Sequence, residues 1–143
     1  MKKILFISLS FLALSSYAQM TPVGVWQSID DVTKAATAEF TITEKDGVLT
    51  GNITKFLRPN PNLQRICDKC QDDRKDKLLL GMELIRGAVK APSKNVWEGG
   101  KLLDPDSGSV YTLRMTPIDD GKKLEVRGSF LFISRTQTWN RVN

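Results

Sequence analysis

The sequence predicts an all-β fold, an antiparallel up-and-down barrel of about eight strands. Three observations indicate this fold class. Apolar and polar residues alternate with a period of two in several segments, which is typical of strands with one buried face. Turn-forming clusters such as Asp46-Gly47 separate these segments. No segment after residue 18 shows the sustained 3.6-residue period of an amphipathic helix.

Short connections join nearly all of the predicted strands. The alternation is clearest in three apolar sets: Ala38, Phe40 and Ile42; Tyr111, Leu113 and Met115; and Leu124, Val126 and Phe130. The run from Leu78 to Ile85 is interpreted as part of a buried strand rather than a helix. The eight predicted strands lie near residues 23–29, 36–45, 47–57, 78–89, 95–102, 109–117, 122–132 and 135–142.

A sheet of consecutive antiparallel strands has two exposed edges unless it closes on itself. Closure into a barrel removes both edges, and eight strands enclose an interior that side chains fill or that holds one small ligand. A flattened sandwich is the alternative architecture. The chain has 143 residues, of which 41% are hydrophobic and 26% are charged, as expected for one ordinary globular domain.

Residues 1–18 have the features of a secretory signal peptide. Lys2 and Lys3 precede an apolar run of 11 residues that starts at Ile4, and Ser16-Tyr17-Ala18 provides a cleavage site before Gln19. The run is shorter than the ~20 residues that span a bilayer, and no later segment is suited to crossing a membrane. A buried or amphipathic first helix is the alternative. We therefore expect a single barrel domain over residues 19–143, periplasmic or secreted.

The charge balance and the residue types argue against several classes of function. The formal net charge is +5, and it falls to +3 without the two lysines of the signal segment. Basic residues form no dense stripe with interleaved aromatic residues, so we expect no nucleic-acid partner. Histidine is absent, which removes the commonest general base and the commonest metal ligand. We expect no metal and no other cofactor.

One predicted connection is long, and it contains both cysteines. Residues 58–77 are rich in proline and then highly charged, which suits either a lid or binding loop or a solvated excursion. After export, Cys67 and Cys70 should form a disulfide, which by loop entropy contributes about 2 kcal/mol. We favour a structural role for it. A thiol redox site needs an electropositive helix N-terminus, and zinc needs four ligands; both stay secondary alternatives.

Other candidates for chemistry are weaker. The segment Asp104–Gly108 resembles the start of a calcium loop, but the positions that need glycine and glutamate hold Ser109 and Met115. A hairpin turn explains it better. The serines have no histidine to activate them, and the paired carboxylates lie in turns. We expect the protein not to be an enzyme, with thiol redox at the two cysteines as the exception.

Four residues near the two chain ends are predicted to close the barrel. In a closed barrel the first and last strands are neighbours, so Gly24 and Trp26 should lie beside Trp139 and Arg141. The guanidinium can pack on a tryptophan ring and bond backbone carbonyls at the barrel end. This Gly-x-Trp and late arginine resemble the lipocalin and fatty-acid-binding (calycin) superfamily.

The sequence also resembles a narrower family, the bacterial domain of unknown function 2147. The resemblance covers essentially the whole chain after the signal segment. It implies a small exported protein with a barrel-like fold, and it supplies no catalytic residues. Six ordered elements carry it: Gly24-x-Trp26, Cys67-x-x-Cys70, Trp97-Glu98-Gly99-Gly100, Asp104-Pro105-x-x-Gly108-x-x-Tyr111, Leu124-x-Val126-Arg127-Gly128 and Thr136-Gln137-Thr138-Trp139-x-Arg141.

Two functions remain open from the sequence. The first is a periplasmic barrel that binds a small, largely apolar ligand. Phe40, Trp97 and Tyr111 would line its cavity, with Arg86 or Arg127 fixing an acidic head group. The competing interpretation is that the aromatic residues are core and both arginines face water. The second function is a non-catalytic structural or interaction protein of the cell envelope, which would use the charged 58–77 loop. The oligomeric state is not predicted.

Overall fold

A computed structural model describes residues 20–142, and the predicted signal peptide lies outside the described residues. Eight antiparallel strands follow one another in sequence order around a closed barrel, which confirms the predicted fold class. Residues 119–121 form a single 3₁₀ turn between the sixth and seventh strands. The strands are β1 (Gly24–Ile29), β2 (Ala36–Lys45), β3 (Val48–Phe56), β4 (Glu83–Lys90), β5 (Trp97–Leu103), β6 (Val110–Ile118), β7 (Lys123–Phe130) and β8 (Ile133–Arg141).

The fourth strand is shorter than the sequence predicts. It begins at Glu83, five residues after the predicted start. Leu78 forms only an isolated bridge with Ile66, and the chain turns at Gly81 with φ of +85°. The apolar run before β4 is therefore not strand. It belongs to the connection between β3 and β4 (residues 57–82), called the long loop below.

The last hairpin turns two residues earlier than predicted. Strands β7 and β8 pair as far as Phe130 and Ile133, so Leu131 and Phe132 form the turn. A shift of two residues keeps the same side chains facing inward, because side chains alternate with period two. It nevertheless moves Phe130 from its predicted core position to the end of the barrel, where it is 56% exposed.

The two ends of the barrel are built differently. The β2–β3, β4–β5 and β6–β7 connections lie at one end, called the closed end, and the other four connections lie at the opposite end, called the open end. Much of the barrel interior is filled by side chains that are no more than 1% exposed. They are Trp26, Ile42, Leu49, Ile85, Leu113, Met115 and Leu124.

Arg141 caps the closed end. Its guanidinium carbon lies 4.1 Å from the centroid of the Trp26 ring. Nε donates to the carbonyl of Gly121 (2.6 Å), Nη1 to that of Val23 (2.9 Å) and Nη2 to that of Thr21 (2.7 Å). Burial lowers the pKa of Arg141. One side chain thus ties the N-terminal segment and the 3₁₀ turn to the last strand.

Glycine is required beside this cap. A Cβ atom at Gly24 would lie 2.5 Å from Nη1 of Arg141, and Gly24 has φ of +135°. Strand β1 pairs with β8 through Trp26 opposite Arg141, so the barrel closes at this point. The structure therefore brings Gly24, Trp26 and Arg141 together as the sequence predicts. Trp139 lies elsewhere, inside the barrel.

Candidate ligand-binding site

A half-open cavity of about 850 Å³ extends from the loops at the open end into the barrel. Its mouth lies among exposed residues of the long loop, Arg58 to Asn62. The volume lies within the ~300–1,000 Å³ typical of small-molecule sites. The inner lining is apolar and comes from six strands and the long loop. Its members are Ala38, Phe40, Ile53, Leu79, Leu84, Leu103, Val126 and Trp139.

Two stacked aromatic rings form the floor of the cavity. Phe40 on β2 and Trp139 on β8 have ring centroids 4.5 Å apart and planes inclined by 19°. Ala38 lines the cavity above Phe40, and Ile42 fills the closed core below it. The stack therefore separates the cavity from the filled half of the barrel.

A few polar groups face into the cavity. The hydroxyls of Ser28 and Thr37 lie 2.7 Å apart, and Ser28 also donates to the carbonyl of Ala38. Nε1 of Trp139 donates to Oε1 of Gln137 at 3.3 Å. Gln137 lines the cavity, and its carboxamide nitrogen carries two N–H donors that a ligand could use. The lining is thus an apolar surface with a small number of oriented hydrogen-bonding groups.

Ion pairs surround the mouth, and each joins two different connections or strands. Arg58 of the long loop pairs with Asp30 of the β1–β2 loop at 3.3 Å, and Arg135 of β8 pairs with Asp31 at 2.5 Å. Backbone N–H groups of the β1–β2 loop, assisted by Arg58, lower the pKa of Asp30. Asp31 raises the pKa of Arg135. The rim of the mouth therefore carries many charged groups, but its positive and negative charges nearly cancel.

The long loop is folded onto the barrel. The side chain of Arg74, 7% exposed, binds the Asp72 carboxylate through Nε and Nη2 and the carbonyl of Glu83 through Nη1. Hydrogen bonds from Arg74 lower the pKa of Asp72 to about 2. Arg86 on β4 donates from Nη1 and Nη2 to the two carboxylate oxygens of Asp73, at 2.8 and 2.9 Å. These contacts hold the loop against β4.

The predicted disulfide is confirmed within this loop. Cys67 and Cys70 are bonded, and both are buried, at 0% and 2% exposure. The adjoining backbone packs closely against the β5–β6 turn, because a Cβ atom at Gly108 would lie 2.0 Å from the carbonyl oxygen of Lys69. Lys69 also donates to the carbonyl of Asp106. The disulfide thus shapes a segment that packs on the β5–β6 turn, and that turn borders the mouth through Pro105 and Asp106.

Two of the five residues that sequence analysis selected for ligand contact line the cavity. They are Phe40 in the floor and Tyr111 near the open end. Trp97 is buried outside the lining, opposite Met115 on β6. Arg86 binds Asp73 and Glu83 on the outside, and Arg127 is exposed and donates to the hydroxyl of Ser134. The structure does not bring either arginine to the cavity.

Sequence reasoning selected most of the cavity lining wrongly or not at all, and Gln137, Trp139 and Leu79 illustrate why. Gln137 and Trp139 alternate with threonines along β8, and that signal could have placed both inside the barrel. Leu79 enters the lining from the long loop and carried no such signal. Within residues 20–142, no group of three His, Cys, Asp or Glu side chains is placed to hold a metal ion. The same part of the chain contains no helix long and apolar enough to cross a membrane.

The closed eight-stranded barrel with an internal cavity is a lipocalin-like fold. A solved structure with this fold is protein HP1028 from the human pathogen Helicobacter pylori, described as belonging to the lipocalin family. The two structures superpose with a TM-score of 0.73 at 16% sequence identity, over 87% of this chain and 85% of the other. This likeness establishes the fold. Comparison with curated proteins gives no significant match.

The chain belongs to the domain of unknown function 2147 family, described as uncharacterized protein conserved in bacteria. The match covers residues 24–141, the whole barrel from β1 to the end of β8. The resemblance drawn from the six sequence elements is confirmed.

Proposed function

We propose that this protein binds a small, largely apolar ligand in the cavity at the open end of its barrel. The observation that carries the proposal is the cavity itself, about 850 Å³ with an apolar inner lining above an aromatic floor. An apolar body would pack against Phe40, Trp139 and the aliphatic lining. Its polar group would meet the N–H donors of Gln137 or the hydroxyls of Ser28 and Thr37.

The same geometry favours binding without catalysis. The cavity lining contains no nucleophile with an adjacent base, and its carboxylates, Asp30, Asp104 and Asp106, lie at the rim. Asp30 pairs with Arg58, and Asp106 pairs with Arg65. Thiol redox at the cysteines is disfavoured because both sulfur-bearing residues are buried.

We further propose that the protein acts in the periplasm or after secretion. The basic and apolar segment at residues 1–18 supports export, and the Cys67–Cys70 disulfide suits an oxidising compartment. Mass spectrometry of the protein recovered from cells should give a chain that starts at Gln19. A chain that retains residues 1–18 would contradict this part of the proposal.

Native mass spectrometry tests for a bound ligand directly. Protein purified from the cells that make it should carry a reproducible extra mass that is lost on denaturation. The apolar dye phenylnaphthylamine then tests the cavity without knowledge of the natural ligand. Its binding should quench or shift the fluorescence of Trp139, whereas Trp26 and Trp97 lie outside the cavity lining.

A cavity-filling variant locates the bound dye. Ala38→Phe places a ring in the lining and should weaken dye binding about tenfold or more. Thr43→Phe, on the exposed face of the same strand, is the matched control and should bind like the unaltered protein. Equal dye binding by both variants, or absence of both dye binding and extra mass, would contradict ligand binding. The second result would favour a structural or interaction protein of the envelope.

A further inference from the structure

Exposed apolar side chains are concentrated around the cavity mouth. The β1–β2 loop contributes Val32, 88% exposed, and the long loop contributes Leu63, 52% exposed. The β7–β8 hairpin contributes the four consecutive residues Phe130 to Ile133, called the hairpin tip below. At the closed end, the large apolar residues that are exposed within residues 20–142 are only 38–44% exposed. They are Met20, Val48 and Val89.

The hairpin tip is the most exposed apolar feature of the described chain. Leu131 is 81% exposed, Phe132 is 102% exposed and Ile133 is 75% exposed. Ile133 also lines the cavity, so the tip and the mouth are continuous. Large exposed apolar patches on a folded protein are a mark of interaction surfaces.

The requirements of a tight turn do not explain why the hairpin tip is apolar. Leu131 has φ of +51°, a left-handed conformation that two-residue hairpin turns normally assign to glycine or asparagine. A branched apolar residue there is strained and gains little from burial in the monomer. The side chains of the tip thus do not stabilise the isolated barrel. We take this as a sign that they are buried against something else when the protein is in place.

Two exposed cations are set back from the hairpin tip, towards the body of the barrel. Arg127 lies three residues before Phe130, about 10 Å along the strand. Its guanidinium donates to the hydroxyl of Ser134, and it forms no ion pair within residues 20–142. Lys34 is an exposed cation on the neighbouring loop. Amphipathic elements that bury apolar side chains about 5–10 Å into a bilayer place cations at the level of the lipid phosphates.

We propose that the open end of the barrel docks on a lipid bilayer, with the hairpin tip inserted in the interface and Arg127 at the phosphates. A bilayer fits better than a protein partner because the apolar side chains protrude from separate loops around an open mouth. A fluid phase can receive such side chains one by one. Docking of the open end does not require that the cavity bind a ligand. Transfer of an apolar ligand between bilayer and cavity rests in addition on the proposed function.

Flotation with lipid vesicles tests the proposal. The purified protein should float with vesicles of phosphatidylethanolamine and phosphatidylglycerol, and less with vesicles of phosphatidylcholine alone. Phe132→Ser should lower the vesicle partition coefficient about tenfold, and the double variant Leu131→Gly/Phe132→Ser about a hundredfold. Glycine suits the left-handed turn position, so the double variant should fold at least as well.

Two controls separate docking from general stickiness and from cavity binding. Val48→Ser/Val89→Ser removes two exposed apolar side chains at the closed end and should float like the unaltered protein. Arg127→Ser should weaken binding to the phosphatidylglycerol vesicles selectively. The cavity-filled Ala38→Phe variant should still float, because docking does not depend on the cavity.

The outcomes are distinct from those of the ligand test. A tip variant that binds phenylnaphthylamine normally but no longer floats supports docking. Failure of the unaltered protein to float, or equal flotation of the tip variant, overturns docking and leaves ligand binding untouched. If the unaltered protein does not float, a protein partner becomes the next candidate to bind the hairpin tip.

Discussion

Replacement of Arg141 by methionine should destabilise the barrel by about 3–5 kcal/mol. Methionine keeps the aliphatic stem but removes the charge and the donors to Thr21, Val23 and Gly121. Hydrogen bonds to a charged group contribute ~1.5–3 kcal/mol each, and a cation over a tryptophan ring ~0.5–2 kcal/mol. Arg141 is half-buried, so water replaces part of the lost bonding, and the total falls below the simple sum.

Urea denaturation and thermal melting, followed by circular dichroism, measure this loss. At about 4 °C per kcal/mol for a domain of this size, Tm should fall by ~12–20 °C. The matched control is Arg114→Met, because Arg114 is an exposed arginine that pairs with Glu98 on the outer surface. Surface pairs contribute ~0–1 kcal/mol, so Tm should change little. A loss below about 1 kcal/mol for Arg141→Met would refute the argument that this side chain ties the barrel closed.

Three further predictions concern the open end. Leu131→Gly should raise the free energy of unfolding by about 0.5–1 kcal/mol in urea, because glycine adopts positive φ without strain. Asp72→Asn should lower the free energy of unfolding by about 1 kcal/mol. The loss is modest because water screens the partly exposed carboxylate of Asp72. The pKa of Asp72 is about 2 in the folded protein against the usual 3.8, so this stability exists above pH 3.8 and disappears as the pH falls through about 2. The double variant Cys67→Ser/Cys70→Ser should keep its barrel and lose about 2 kcal/mol in urea.

Each of these predictions has a contrary outcome. A lower free energy of unfolding for Leu131→Gly would mean that the leucine packs usefully in the isolated protein. An Asp72→Asn penalty that persists unchanged at pH 2 would show that the loop depends on shape and not on the charge. Loss of the folded barrel in the cysteine variant would show that the disulfide organises more than its own loop.

Period-two alternation and turn chemistry were sufficient to predict the strands. Ala38, Phe40 and Ile42 face inward because a pleated strand can bury only every second side chain. Sheet closure followed from the number of consecutive strands, since a closed barrel leaves no edge unpaired. The pairing of Trp26 with Arg141 was predictable for the same reason, because closure makes the first and last strands neighbours.

The cavity depends on long-range geometry that no local pattern contains. The ring of ion pairs joins residues far apart in sequence, such as Arg135 and Asp31, and their meeting depends on the fold. Arg86 and Arg127 have the same local appearance as a ligand-binding arginine, yet they lie outside the cavity because their strand register turns them outward.

The sequence by itself therefore determined the class of fold, the number of strands, the disulfide and the meeting of Trp26 with Arg141 where the barrel closes. These features follow from side-chain alternation, closure and short sequence separation. The tertiary structure alone decided that the open end is hollow, that Phe40 and Trp139 stack as its floor and that the hairpin tip is exposed beside the mouth. The physical reason is that an empty volume arises from the combined sizes and registers of many strands, and no single segment specifies that sum.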